Sequence, residues 1–267
     1  MLVVSYGIPK SGSTLAYEML RGVLESAGHE QAILRNDRLD DGDAPRGTKR
    51  NFLNKITRES IQALMDEIGK GRIIAVKTHS GFAAELFPWL EEMQQSGAMK
   101  VIASYRDPRD VCLSLVDAGN RSRDRGTGAF AGIGGLEEAM DKVDTRITVF
   151  RRWAALKGTL RLNYDDVAYN PAKAIDAMEA ALGVKANRAD AMRYAFEEAY
   201  TLRNKVKRNR YLDEMNDDEK RVASERFKKF LRNAIERDNQ NWYDKFRTVV
   251  LSRLEQGGGD ESESDTA

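Results

Sequence analysis

The densest cluster of chemically useful residues in the sequence is Gly7, Ile8, Pro9, Lys10, Ser11, Gly12, Ser13 and Thr14. It lies between an apolar run and a segment of helical period. A Gly-rich turn in that position aims successive backbone N–H groups and the positive end of a helix at one point, which makes an anion site. The spacing differs from the nucleotide P-loop G-x-x-x-x-G-K-[ST], because Lys10 precedes the second glycine instead of following it. A tight strand-to-helix turn with a serine N-cap accounts for Gly12 and Ser13 alone. It leaves Lys10 unexplained.

A second cluster runs Tyr105, Arg106, Asp107, Pro108, Arg109, Asp110, Val111, Cys112, Leu113, Ser114. Arg106 closes an apolar run, where ligands of open α/β sheets bind. Ser114 follows eight residues later, about two turns into a helix that Pro108 helps to start. A guanidinium fork and a hydroxyl converging there suit a phosphate. The alternative for Arg106 is a plain ion pair with Asp110.

The elements that must position these groups follow from the apolar pattern. Four buried strands are expected at 2–6, 73–77, 100–105 and 159–164, the first three nearly continuous in Val, Ile and Ala. Between them the period is helical, with Ala16, Met19, Leu20, Val23 and Leu24 on one face, Ile61, Leu64, Met65 and Ile68 on another, and Ile175, Met178 and Leu182 on a third. This alternation predicts an α/β, P-loop-like three-layer fold, with a mainly parallel central sheet flanked by helices. From about residue 187 the pattern turns to charged helix, with Ala223, Phe227, Phe230, Leu231, Ala234 and Ile235 as an apolar stripe, and a helical C-terminal subdomain is expected. Segments 35–50 and 119–135 read as mobile loops. One domain is expected over 1–256, followed by a disordered acidic tail at 257–267.

Taken together, the two clusters resemble the sulfotransferases that use 3′-phosphoadenosine 5′-phosphosulfate (PAPS). Pro9 to Thr14 resembles that family's 5′-phosphosulfate loop, P-K-S-G-[ST]-T. Arg106 and Ser114 are similar to its 3′-phosphate motif, an arginine and a serine eight apart. Val76, Lys77, Thr78 and His79 resemble the segment where cytosolic members carry a catalytic histidine. Leu162, Asn163, Tyr164, Asp165, Asp166 and Val167, with Asn170 and Pro171, resemble the strand and turn whose tyrosine lies near the adenine. The resemblance spans about residues 1–183. It implies PAPS as co-substrate and no metal. Pro9, Lys10, Ser11, Gly12, Ser13, Thr14, Arg106, Ser114 and Tyr164 would bind the nucleotide, and Lys10, Lys77 and His79 would be catalytic. In sulfuryl transfer Lys10 neutralises charge on the leaving phosphate, Lys77 supports the sulfuryl oxygens, and His79 takes the acceptor's proton, since an imidazole titrates near neutral pH. The plainer alternatives are a hydrogen-bonded structural histidine and a lysine capping the strand in solvent.

Two departures from the family pattern stand out. Leu15 occupies the place where cytosolic members carry a tryptophan that stacks on adenine, and no R-K-G segment occurs near the C-terminus. The basic run 205–210 is either a solvated helix face or a grip on the 3′-phosphate. The family's dimerisation motif is absent, which leaves oligomeric state open.

Composition narrows the alternatives. Lys plus Arg number 43 against 42 Asp plus Glu, so the surplus of positive charge that a nucleic-acid binder needs is missing. No apolar run approaches the ~20 residues of a bilayer span. A single cysteine, Cys112, excludes an internal disulfide, and with only His29 and His79 a histidine-rich metal cage is excluded too. Cys112 is expected to be buried and inert, and His29 to lie at the surface. The N-terminus reads as a strand without the marks of a signal peptide, and a reducing cytoplasm is the expected location. A kinase using ATP and magnesium is the competing reading. It would need the lysine after the glycine and a carboxylate ending a buried strand. A scaffold without turnover would lack Lys10 or His79. The few aromatics and many Arg and Asp residues of the variable segments suggest a polar small-molecule or glycan acceptor.

Overall fold

The computed structural model describes residues 1–34, 51–126, 128–199, 207–236 and 240–256, together with the backbone of 39–40. The first half contains β1 (Leu2–Gly7), α1 (Ser13–Ser26), β2 (Leu39–Asp40), β3 (Phe52–Leu53), α2 (Arg58–Ile68), β4 (Ile74–Thr78), α3 (Phe87–Gln95) and β5 (Met99–Tyr105). Next come α4 (Pro108–Asp124), α5 (Leu136–Ala155), β6 (Leu160–Asn163), α6 (Tyr164–Tyr169), α7 (Pro171–Leu182) and α8 (Arg188–Arg193). The C-terminal layer holds α9 (Arg210–Glu214), α10 (Asp217–Arg226), α11 (Lys228–Phe230) and α12 (Gln240–Glu255).

The sheet order is β2-β3-β4-β1-β5-β6. β3, β4, β1, β5 and β6 pair in parallel, and only the short β2 runs antiparallel to β3. Successive side chains of β1 feed opposite faces, as the pleat requires. Leu2, Val4 and Tyr6 enter a core with α2, α3, α4 and α5, whereas Val3 enters a second core with α1, α7 and α8. Sheet and two helical layers therefore form the expected three-layer α/β fold. Because β1 is flanked by β4 and β5, the segments leaving these three strands meet at one sheet edge, the crevice where open α/β sheets bind ligands.

All four expected strands form, with ends shifted by a residue or so. Tyr164, expected in the last strand, is instead the first residue of α6, whose N-cap Asn163 accepts from the Asp165 N–H. The sequence reading missed β2 and β3 because two residues cannot display an alternating period. Residues 35–38 and 41–50 of the first expected loop, and the tail 257–267, lie outside the described residues. The second expected loop starts later than expected, since α4 continues through Gly119 to Asp124. A Cβ on Gly119 would lie 2.2 Å from the Ile133 carbonyl oxygen, and Ile133 itself is buried, so this part of the segment is packed. The apolar stripe of the C-terminal layer is broken at Phe227, between α10 and α11, and continues as a π turn over Leu231–Ile235. No helix among the described residues is long and apolar enough to cross a membrane.

Candidate active site

The segment joining β1 to α1 is held open by unusual backbone. Lys10 adopts φ 67° and Gly12 φ 85°, both in the left-handed region, which a lysine rarely occupies without a local reason. The turn closes through the Ser11 N–H, which donates to the Ile8 carbonyl at 3.0 Å. Glycine is required at 12 twice over, since a Cβ there would also meet the Tyr164 ring at 2.3 Å. Gly7 is equally confined, because a Cβ would lie 2.3 Å from Ser13 Cβ and 2.5 Å from Ser104 Oγ. Gly12, and not a serine, is the N-cap of α1, and no side chain caps that terminus. The first N–H groups of the helix thus keep their capacity for an anion. Ser11 is buried, and its Oγ has no hydrogen-bond partner among the described residues. Pro9 and Lys10 are half-buried, and Ser13 is buried.

Lys77, on the last turnward residues of β4, is buried and not a solvent-facing strand cap. Its Nζ donates to Thr14 Oγ1 at 2.9 Å and lies 5.8 Å from the centre of the Phe52 ring. The Lys10 ammonium sits 5.9 Å from the Phe130 ring. Burial, with Arg121 adding to it and Asp117 opposing, lowers the Lys10 pKa.

His79, one residue beyond β4, turns back toward β1. Its Nδ1 lies 2.6 Å from the Gly7 carbonyl oxygen. A carbonyl only accepts, so Nδ1 carries the proton and Nε2 presents a lone pair. The ring meets Phe52 edge-on at 5.5 Å. Burial first, then Lys77, Arg146 and Lys10, pull the imidazole pKa down from 6.5 to about 3, against the opposing pull of the Gly7 carbonyl. The expectation that this imidazole titrates near neutral pH is therefore corrected: without a bound anion the ring is neutral throughout the physiological range.

The loop carrying His79 is clamped by α5, a feature the sequence reading missed. Arg146 Nη1 donates to the His79 carbonyl at 3.3 Å, Trp153 Nε1 to the Ser80 carbonyl at 2.9 Å, and Arg152 Nη1 to the Phe82 carbonyl. The Tyr6 hydroxyl in turn donates to the Arg146 carbonyl, and its ring stacks on Trp153.

Beyond β5, Arg106 is buried. Its guanidinium lies 4.3 Å over the Tyr164 ring, and Nη2 donates to Asp110 Oδ2 at 2.8 Å and to the Lys207 carbonyl at 2.7 Å. The ion pair with Asp110 therefore forms, yet Arg106 Nε is buried with no partner among the described residues. Ser114 is buried on the same helix face as Asp110. Tyr164 bridges the two clusters, touching the Gly12 position on one side and Arg106 on the other. It also meets Tyr169 edge-on at 6.1 Å, and Arg208 covers the Tyr169 ring at 4.3 Å.

In the basic run 205–210, the described Lys207, Arg208 and Asn209 are exposed on a turn ahead of α9, and only Arg210 departs from a solvated face. Arg210 is almost fully buried, with Nη2 on both Asp117 and Glu214 at 2.8 Å, and Lys207 pairs with Asp213. Lys205 and Val206 lie outside the described residues. Asp107, the one carboxylate just past β5, accepts three bonds from Arg109. Leu15 is half-buried against the second core. Cys112 is buried, and that burial raises its thiol pKa. His29 is half-buried after α1, with its N–H on the Leu24 carbonyl.

No protein-family profile matches the sequence, and no curated protein matches it. Solved structures do match in fold. A mouse sulfotransferase, SULT7A1 complexed with PAP, superposes with a TM-score of 0.51 at 17% identity, over 92% of this chain and 88% of that one. The sulfotransferase domain from the curacin biosynthetic pathway matches at 0.44 and 15% identity, over 84% and 96% of the two chains. A sulfotransferase from Alicyclobacillus acidocaldarius matches at 0.35 and 11% identity, over 96% and 94%. The fold likeness rests on the first of these: the chain has the α/β fold of the mouse sulfotransferase SULT7A1.

Proposed function

We propose that the chain is a PAPS-dependent sulfotransferase that moves a sulfuryl group to a hydroxyl or amine of a small-molecule or glycan acceptor. The observation that carries this reading is the convergence of three segments at one sheet edge: Lys77 reaches Thr14, His79 binds the Gly7 carbonyl, and Tyr164 packs against both Gly12 and Arg106. The fold is that of an enzyme solved with PAP, the nucleotide that PAPS leaves behind.

The residues present fit such a nucleotide. Ser11 Oγ and Arg106 Nε are buried polar atoms without partners among the described residues, and a helix end with no side-chain cap lies beside Ser11. Each is a donor that an oxyanion would satisfy. On this reading Pro9, Lys10, Ser11, Gly12, Ser13 and Thr14 bind the 5′ side, Arg106 and Ser114 the 3′-phosphate, and Tyr164 flanks the base. PAPS supplies the sulfuryl group and a phosphate leaving group.

The protein's part is charge and proton handling. Lys10, held half-buried and partly desolvated, gains most when negative charge grows beside it. Lys77, fixed by Thr14, adds a second positive charge to the same space. His79 Nε2 accepts the acceptor's proton as the new S–O or S–N bond forms, and the Gly7 carbonyl stabilises the resulting imidazolium through Nδ1–H. The kinase alternative loses support because Asp107, its candidate for organising magnesium, is committed to Arg109. A thermal-shift comparison tests the donor. Adenosine 3′,5′-bisphosphate should stabilise the protein, and ATP with magnesium should do so far less; the reverse order would favour the kinase.

A further inference from the structure

Between the π turn Leu231–Ile235 and the start of α12 lies a cavity of about 270 Å³, lined by Lys229, Arg232, Asn233, Asn241, Trp242 and Lys245. None of these residues belongs to the candidate active site. Among the described residues, the lining holds three cations and no carboxylate. Several other cations of the C-terminal layer are paired: Arg226 with Asp141 and Asp144, Lys228 with Glu225, Arg247 with Glu91. Among the described residues, Lys229, Arg232 and Lys245 pair with none. A fourth cation, the Arg151 guanidinium, covers the Trp242 ring at 4.7 Å, and its Nε is buried with no partner among the described residues.

The neutral groups point the same way. Asn233 is only 6% exposed, lines the cavity, and has no hydrogen-bond partner among the described residues. Its side-chain amide offers two donors and one acceptor to a group in the cavity. The Trp242 indole supplies an apolar wall beside these donors, and its edge-on contact with Tyr243 at 4.8 Å holds it in place. Concentrated donors and positive charge call for oxyanion oxygens, and the indole calls for a flat apolar body attached to them.

We propose that this cavity is a second ligand site for an oxyanion carried on an aromatic ring, an aryl phosphate or aryl sulfate ester. Lys229, Arg232 and Lys245 supply the charge, Asn233 a hydrogen bond, and Trp242 the stacking surface. The site stands whether or not the chain transfers sulfuryl groups.

Calorimetric titration of the full chain with phenyl phosphate tests it. The expected result is saturable binding that phenol does not reproduce. The double variant Arg232→Gln, Lys245→Gln should weaken it by about tenfold or more, because two charge-assisted contacts are lost. Lys245→Glu, at an exposed position tolerant of change, should do the same with an unchanged melting temperature. Lys10→Ala should leave binding intact. Loss of binding in Lys10→Ala with retention in the double variant would put the oxyanion in the β1–α1 loop and overturn the proposal. Equal binding of phenol would also overturn it, as would co-sedimentation with anionic vesicles without saturable phenyl phosphate binding.

Discussion

His79 Nδ1 and the Gly7 carbonyl oxygen are 2.6 Å apart, so the loop after β4 is hydrogen-bonded to the residue that opens the β1–α1 turn. One contact thereby selects the imidazole tautomer and ties the proposed base to the proposed phosphate loop. Burial and the neighbouring Lys77, Arg146 and Lys10 keep the ring neutral in the folded protein down to about pH 3, whereas in the unfolded chain it takes a proton near 6.5. Between those values the unfolded state binds more protons. The His79 contribution to stability is therefore complete above about pH 6.5 and is lost as pH falls toward 3. In melts at a series of pH values, wild type should lose stability relative to His79→Gln across that window. A constant difference would show that the ring titrates freely.

Gly12→Ala should destabilise the protein and impair nucleotide binding together. The left-handed backbone alone costs an ordinary residue about 1–2 kcal/mol, and the added methyl would meet the Tyr164 ring. Removing the ring as well, in Gly12→Ala with Tyr164→Ala, should not restore wild-type stability, because the backbone strain remains. Thermal melts of the single and double variants decide this.

Arg106→Lys and Ser114→Ala should weaken adenosine 3′,5′-bisphosphate while leaving adenosine 5′-phosphate nearly unaffected. A hydrogen bond to a charged group is worth roughly 1.5–3 kcal/mol and a neutral one about 1, so the arginine should matter more. Arg106→Lys keeps a charge beside Asp110 but loses the fork, which limits the structural damage. Calorimetry with both nucleotides reads the outcome, and equal weakening of the two would move the 3′-phosphate elsewhere.

Lys10→Ala should lower turnover on the order of 10²–10³-fold, the usual loss for one electrostatic donor to a developing charge. Its effect on bisphosphate affinity should be much smaller. Steady-state rates measured beside product binding separate these, and matched losses would mean that Lys10 only binds.

What could be read from the sequence was local. The β1–α1 turn was legible because Gly7, Lys10 and Gly12 declare a backbone path within eight residues, and β1, β4 and β5 were legible because each is a short, nearly continuous apolar run. Contacts between distant segments were not. Phe52 lies in a two-residue strand with no period, yet it lines up beside both Lys77 and His79. No local pattern marks Arg146, Arg152 and Trp153, and only the fold shows their donors on the carbonyls of 79, 80 and 82. Arg210 sat in a run of charges that suggested solvent, whereas two carboxylates from different segments bury it.

The central claim is that this sheet edge transfers sulfuryl groups, with His79 taking the proton. The direct measurement is mass-spectrometric detection of sulfated product and released adenosine 3′,5′-bisphosphate after incubation with PAPS and a mixture of polar hydroxyl and amine acceptors, for wild type and His79→Ala. The account predicts acceptor-dependent release in wild type and a loss of about 10²–10⁴-fold in the variant, with bisphosphate affinity nearly unchanged. No transfer to any acceptor despite tight bisphosphate binding, or a His79→Ala rate within a few-fold of wild type, would contradict it.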